Sequence, residues 1–315
     1  MNFANEACDI PSNARAKQTR QKLDQEDIMK SSNERTAVSM DDEFLKEYSA
    51  DAAIRKYTKE TAGQGISYLL DHDYGEIYLD AIENSIPKSA MRDGVRLLEF
   101  GCGGGMNLVH LTNALERKGI PLNAAYGTDF SEVLIQAANQ EADKYLPAKS
   151  REKVRFCSAR NEKLASDLAK ALGASTQTLA GSFHLVVGVN TFRYCQRLKA
   201  DVECASAIFD LLVEGGICIM IDMNNRFPLF RSRFRDSLTR DKEAYYLPTL
   251  DEYAQPFLTA GFEILRKGNF CWIPHSAGPR MTKVLKALSP TLSAIAPNHA
   301  MRSLVVSRKP IRRSV

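Results

Sequence analysis

No stretch of the 315-residue sequence approaches about 18 continuous apolar residues, and the N-terminus lacks an apolar h-region. Both absences argue against a membrane-spanning helix and a secretory signal. Charge of one sign is scarce as well. A net +4 falls short of the concentrated basic face that a nucleic-acid-coating protein needs. Cysteine pairs are missing: the seven cysteines stand at 8, 102, 157, 195, 204, 218 and 271, with no C-x-x-C spacing. Their number is odd and most lie in apolar runs, which suits buried free thiols in a reducing compartment and makes a zinc site improbable. With 44% apolar and 25% charged residues, the composition is that of a soluble globular protein. The expectation is a cytoplasmic chain with one large domain and embellishments, or two small domains.

Residues 1–40 are polar and poor in large apolar groups, so they read as a flexible arm that buries too little surface to offset ordering entropy. Over 41–92, Phe44, Leu45, Tyr48, Ile54 and Tyr57, then Ile66, Leu69, Leu70, Tyr78 and Ile82, recur at helical spacing. These predict two or three amphipathic helices. From 93 to 309 strands and helices alternate, the signature of a parallel sheet with helices on both faces. Strands are expected at 95–100, 124–128, 153–157, 183–189 and 216–222, with two more at 261–266 and 303–308. Helices are expected at 132–145, 162–172 and 200–212. Residues 310–315 are a short basic tail.

The most informative stretch runs from Arg96 to His110. An apolar strand ends at Phe100, glycines follow at 101, 103, 104 and 105, and Leu108, Leu111, Thr112 and Leu115 continue at helical spacing. A strand, glycine turn and helix bring backbone N–H groups close to a ligand. The dinucleotide pattern G-x-G-x-x-G does not fit, because Met106 or Leu108 stands where its last glycine belongs. The pattern that fits is Glu99-x-Gly101-x-Gly103-x-Gly105. A carboxylate at the strand end repels a pyrophosphate but holds a cationic amino group. The next strand ends in Asp129, followed by Phe130 and a helix-capping Ser131; an acid there suits a ribose diol.

Together these residues resemble the class I S-adenosylmethionine-dependent methyltransferases over roughly residues 90–308. The resemblance implies a seven-stranded sheet in the order 3-2-1-4-5-7-6 with strand 7 antiparallel, an N-terminal helical lid over 41–92, and S-adenosyl-L-methionine as cofactor. It assigns Glu99, Gly101, Gly103, Gly105, Asp129 and Phe130 to the cofactor. It also implies that the helical lid folds over the cofactor and forms part of the substrate pocket, with Tyr57 and Thr58 standing out as hydroxyls within reach of the cofactor carboxylate and Tyr57 as a substrate-binding candidate. Where many members carry an acid after the third strand, this chain has Arg160, so Asn161 is the candidate for the adenine contact.

Ligands in open α/β sheets bind beyond the carboxyl ends of the strands. After strand four, Asn190 is placed to bond cofactor or substrate, while Arg193 and Tyr194 suit an anionic or phenolic group. This turn lacks both the Asn/Asp-Pro-Pro-aromatic motif that grips a flipped base and a Pro-Cys nucleophile pair. After strand five, Asp222 and Asn224 are expected in the pocket. Beyond them Phe227, Phe230, Phe234 and Leu238 share a helical face among several arginines, which suits an acidic or phosphorylated substrate or anionic lipid. Tyr245, Tyr246, Tyr253 and Phe257 follow. The loop around Trp272 offers His275 as a general base, since an imidazole titrates near neutral pH. His184, at the start of strand four, reads as structural. No carboxylate array points to a metal. The resulting expectation is metal-independent methyl transfer to an O, N or C atom of a small molecule, with no nucleic-acid partner. RNA or protein methylation and a non-catalytic cofactor-binding module are the alternatives, and an NAD-dependent reductase is the weakest.

Overall fold

Six runs of apolar side chains form the buried part of one sheet because each is apolar on both faces or on the face it buries, and a seventh, largely exposed run joins them by backbone pairing. The computed structural model describes residues 54–55, 58, 67–86, 88–229 and 246–311. The arm at 1–40, most of the lid up to residue 66, Tyr57, the arginine-rich segment from 230, Tyr245 and the tail from 312 lie outside the described residues.

A five-residue π-turn, Leu69–Asp73, leads into helix α1 (Tyr74–Ser85), and α2 (Lys88–Asp93) precedes the sheet. Then follow β1 (Val95–Phe100), α3 (Met106–Arg117), β2 (Leu122–Asp129), α4 (Glu132–Tyr145), α5 (Ala148–Arg151) and β3 (Val154–Ser158). After a 3₁₀ turn at Asn161–Lys163 come α6 (Leu164–Leu172), α7 (Thr176–Leu179), β4 (Phe183–Val189), α8 (Phe192–Arg197) and α9 (Asp201–Leu211). The chain closes with β5 (Leu212–Met223), α10 (Leu250–Thr259), β6 (Glu263–Phe270), α11 (Pro279–Ile295) and β7 (Arg302–Arg308).

The strand order is β3-β2-β1-β4-β5-β7-β6, with β7 antiparallel to both neighbours. This is the topology expected. The side-chain period of two splits the core into two layers. Leu97, Leu185, Val187, Ile217 and Ile219 join the cluster under α1, α3 and α4. Leu98, Phe100, Val186, Cys218 and Met220 join the one under α8, α9 and α10. Six of the seven cysteines (102, 157, 195, 204, 218 and 271) are buried free thiols; Cys8 lies outside the described residues.

Beyond shifts of one or two residues at the ends of β2, β3 and β7, three elements differ from the sequence reading. Strand β5 begins at Leu212, and the Glu214-Gly215-Gly216 turn lies inside it as an irregularity. Pairing there jumps from Phe183↔Leu212 to Leu185↔Ile217, with Gly215 at φ 76°. Strand β6 reaches Phe270 although mostly exposed, because backbone pairing with β7 carries it. The stretch read as a long excursion contains the 17-residue helix α11, none of whose residues is buried. Its apolar residues form one stripe that the core covers only in part, through Leu285 and Leu292. His184 is structural, as expected: its Nδ1 accepts from the Arg96 N–H at 3.0 Å.

Leu98→Ala, at a fully buried position in the second layer, is expected to destabilise the fold by about 2–5 kcal/mol. Leu265→Ala, on the exposed face of β6, should change it by about 0.5 kcal/mol or less. Urea unfolding of both variants checks this.

Candidate functional site

Two carboxylates organise the glycine turn from opposite sides. Glu99 is 2% exposed. One of its oxygens accepts from the Leu108 N–H at 2.9 Å and the other from the Asn107 side-chain amide at 3.0 Å. Both donors belong to the first turn of α3, where unpaired N–H groups and the helix dipole favour negative charge. Burial outweighs those bonds and pushes the Glu99 pKa up to about 8. Asp129, at the end of β2, accepts from the Gly103 N–H at 2.9 Å and from the Ser131 N–H at 3.0 Å. Burial raises its pKa to about 6 against these hydrogen bonds.

Between the two acids the chain needs glycine. Gly101, Gly103 and Gly105 sit at φ 66°, 52° and 78°, the left-handed region that costs glycine nothing. Space is also short: a Cβ on Gly101 would lie 2.1 Å from Thr191 Oγ1. That hydroxyl also accepts from the Asn161 amide at 3.0 Å. Thr191 thus ties together the turns after β1, β3 and β4. Asn161 reaches the glycine turn through it, as does the backbone beside Asn190. Arg160 is exposed; its N–H donates to Asp167 at 3.1 Å and its guanidinium lies 3.9 Å from Glu162. Phe130 is half-buried beside Asp129.

The ends of β4, β5 and β6 meet the start of β7 in a second polar group. Asn190 has φ 56°, and its side-chain oxygen accepts from Arg302 Nη1 at 2.6 Å. Arg302, 4% exposed, also places Nη2 2.9 Å from His275 Nε2. The Tyr74 hydroxyl approaches the same nitrogen at 3.4 Å. Burial and the Arg302 cation hold the His275 pKa well below the usual imidazole range. The ring is therefore neutral, and its Nε2 lone pair faces the guanidinium.

Beside it Asp222 is fully buried. It accepts from the Met223 N–H at 2.8 Å and lies 3.6 Å from Arg193 Nε. Burial raises the Asp222 pKa, against the pull of Arg193. Arg193 stacks 4.7 Å over the Tyr194 ring and donates to the Tyr194 hydroxyl at 2.8 Å. Asn190, Arg193, Tyr194, Asp222 and His275 thus share one edge of the sheet. Asn224 is close in sequence but differently employed. Its amide donates to the Asn298 and Ala300 carbonyls at 2.9 and 2.7 Å, and its oxygen accepts from the Arg226 N–H at 3.0 Å. It clamps the loop before β7.

Three residues of this edge escaped the sequence reading: Arg302, Tyr74 and Thr191. Arg302 had a signal, a lone cation opening the apolar run Ser303-Leu-Val-Val306. Thr191 and Tyr74 had none, since each acts through residues distant in the chain.

A family profile described as a methyltransferase domain matches residues 91–269. No curated protein sequence matches significantly. Among solved structures, the CurJ carbon methyltransferase is 15% identical, with a TM-score of 0.51, covering 82% of this chain and 57% of its own. The [4+2]-cyclase SpnF is 15% identical at a TM-score of 0.48, covering 76% and 82%. Geranyl diphosphate C-methyltransferase from Streptomyces coelicolor A3(2) is 14% identical at 0.47, covering 75% and 78%. At these identities the likeness concerns the fold.

The raised Glu99 pKa has a consequence for stability. Between its ordinary value of 4.5 and about 8, the folded chain holds a proton that the unfolded chain has released. Stability from this group is therefore full below 4.5 and is lost as pH rises through about 8. Glu99→Gln should flatten that slope in a series of thermal melts across this range, because a neutral amide keeps the Leu108 bond and Asn107 can turn its oxygen toward the new NH₂. An unchanged slope would assign the pH dependence to other groups.

Proposed function

Because the chain belongs to the class I S-adenosylmethionine-dependent methyltransferases, whose domain profile spans residues 91–269, we propose that it methylates an O, N or C atom of a small-molecule acceptor without a metal. The observation that carries the reading is the pair of acids, Glu99 and Asp129, bracketing a turn whose three alternate glycines are all left-handed. That donor set fits S-adenosylmethionine. Asp129 retains lone pairs for a ribose diol while its carboxylate anchors Gly103, and Glu99 places an acid behind the turn, which a cationic amino group lying there would hold in its ionised form. The crowding at Gly101 keeps the cradle free of side chains. Phe130, Asn161 and Asn190 flank it. Bound, the cofactor supplies a methyl group on a sulfonium centre, open to in-line attack.

Such a displacement rests on alignment more than on covalent help. The residues at the ends of β4 to β7 supply the alignment. Arg193 and Arg302 offer two guanidinium groups beside one carboxylate, Asp222, which suits an acidic or phosphorylated acceptor. Tyr194 offers a ring and hydroxyl, and Tyr57, outside the described residues, is the proposed contribution of the N-terminal segment to substrate binding. His275 acts as base once Arg302 turns from its Nε2 to the acceptor's anionic group; until then the guanidinium covers the lone pair. Asp222 orients Arg193, and Asn224 holds the loop that positions Arg302.

Incubation with methyl-labelled S-adenosylmethionine and a cell extract tests the reading, with label expected in the small-molecule fraction. Label in RNA or protein would replace the acceptor class, and cofactor binding without label in any fraction would favour a binding module without chemistry. Asp129→Ala should weaken cofactor binding by about tenfold or more in calorimetry, through lost charged hydrogen bonds. Arg302→Met should raise the His275 pKa toward its ordinary 6.5, because a nearby cation is gone. The acidic limb of kcat/KM would then move up in pH. A limb that stays in place would remove His275 from the proton transfer.

A further inference from the structure

We propose that helix α11 is a docking surface for an anionic membrane. The first observation is in the charge distribution. All 38 Asp and Glu residues precede residue 264, so the remainder of the chain carries ten lysines and arginines and no acid of its own. Of these, Lys267 pairs with Asp251 and Arg308 with Glu263, and Lys286 lies near Asp73. The modest net +4 hides this asymmetry. Helix α11 (Pro279–Ile295) lies in the middle of the acid-free part and contributes Arg280, Lys283 and Lys286.

The second observation is an apolar ridge on the same helix. Met281, Val284 and Leu288 are 55%, 57% and 47% exposed, and Ile295 is 77% exposed. Their spacing of three, four and seven places them in one narrow arc of the helical wheel. The inner face packs through Leu285 and Leu292 against the core, and the Trp272 indole N–H donates to Ser293 Oγ at 3.0 Å. These contacts fix the helix on the surface with its ridge exposed along one flank of the packed face. With 17 residues it is about 25 Å long. An exposed aliphatic ridge on a helix that carries Arg280 and Lys283 and no acid of its own is the arrangement of a helix lying in a lipid interface.

The alternatives match less of it. A second copy would set one basic, acid-free helix against another. Nucleic acid would satisfy the cations and leave four aliphatic side chains unburied. A negatively charged bilayer satisfies both, and since α11 follows the loop that carries His275, docking would set that loop close to the lipid. The inference is independent of which atom is methylated.

The test is sedimentation of the full-length protein with vesicles of phosphatidylcholine alone or mixed with phosphatidylglycerol. Binding is expected to the mixed vesicles only, weakening as salt is raised. Val284→Glu should lower the partition coefficient by about tenfold or more. Leu258→Glu, the same change at a 48% exposed leucine on α10, should alter it by less than about twofold. Circular dichroism melts confirm that both variants fold. Three results would overturn the inference: equal loss in both variants, no binding to either vesicle, or binding to an RNA oligonucleotide with none to lipid. A dimer in analytical ultracentrifugation that Val284→Glu dissociates would overturn it in favour of a second copy. Calorimetry with S-adenosylmethionine on the same samples separates this outcome from failure of the methyltransferase reading.

Discussion

The Glu99 carboxylate, buried at the mouth of α3, is the constraint on which the cofactor side of the site depends. Placing a carboxylate there costs desolvation energy, and the raised pKa measures that cost. The Leu108 N–H, one of the donors that the first turn of a helix leaves open, and the Asn107 side-chain amide offset part of it. Because the donors belong to the helix and the acceptor to the strand, β1 and α3 are held at one angle. The glycine turn between them has little choice of path. Asp129 fixes the same turn from its other side through Gly103. A loop of small residues, flexible in isolation, is thereby made rigid by two acids that also face the ligand edge.

The far side of the site uses a different device. Asn190 and Cys271 are two of the three non-glycine residues at positive φ among the described residues, at 56° and 64°. Both adjoin the segment that opens β7. Asn190 bonds the Arg302 side chain, and the Cys271 carbonyl accepts from the Met301 N–H at 2.7 Å. Backbone strain of this kind persists where surrounding contacts over-determine it. Here those contacts converge on Met301 and Arg302, so the head of β7 joins the turns after β4 and β6 while Tyr74 brings in helix α1.

Much of this was legible in the sequence for physical reasons. The strands of a parallel sheet are apolar on both faces, so β1 and β4 were bounded correctly by their runs. Glycines that need positive φ and acids at strand ends are local signals, and Gly101, Gly103, Gly105 and Asp129 fall in one turn region as that pattern implied. What stayed hidden was non-local or backbone-driven. The exposed strand β6 is held by pairing with β7 and has no clean alternation of its own. Helix α11 interrupts its apolar stripe with Pro290 and leaves most of that stripe uncovered by the core. The use of Asn224 as a loop clamp depends on carbonyls at 298 and 300, which spacing within the motif cannot reveal. Arg160, where an acid was the family expectation, turns toward its own helix, so the departure is local.

The strand order carries one more implication, for the way the chain assembles. Strand β7 lies between β5 and β6 but follows both in sequence, so synthesis delivers the two flanking strands before the one that separates them. Until β7 arrives, β5 presents an open edge along Ile217-Cys-Ile-Met-Ile221, a run that is almost wholly buried in the finished sheet. An unpaired edge of this composition invites pairing with the wrong strand or with another chain. The nearest wrong strand is β6, and its exposed, mostly polar face with Arg266 and Lys267 makes it a poor substitute. The insertion of Arg302 at the head of β7 then has a second effect: correct closure of the sheet and completion of the Asn190–Arg302–His275 group are one event, so a misregistered chain would lack that edge of the site.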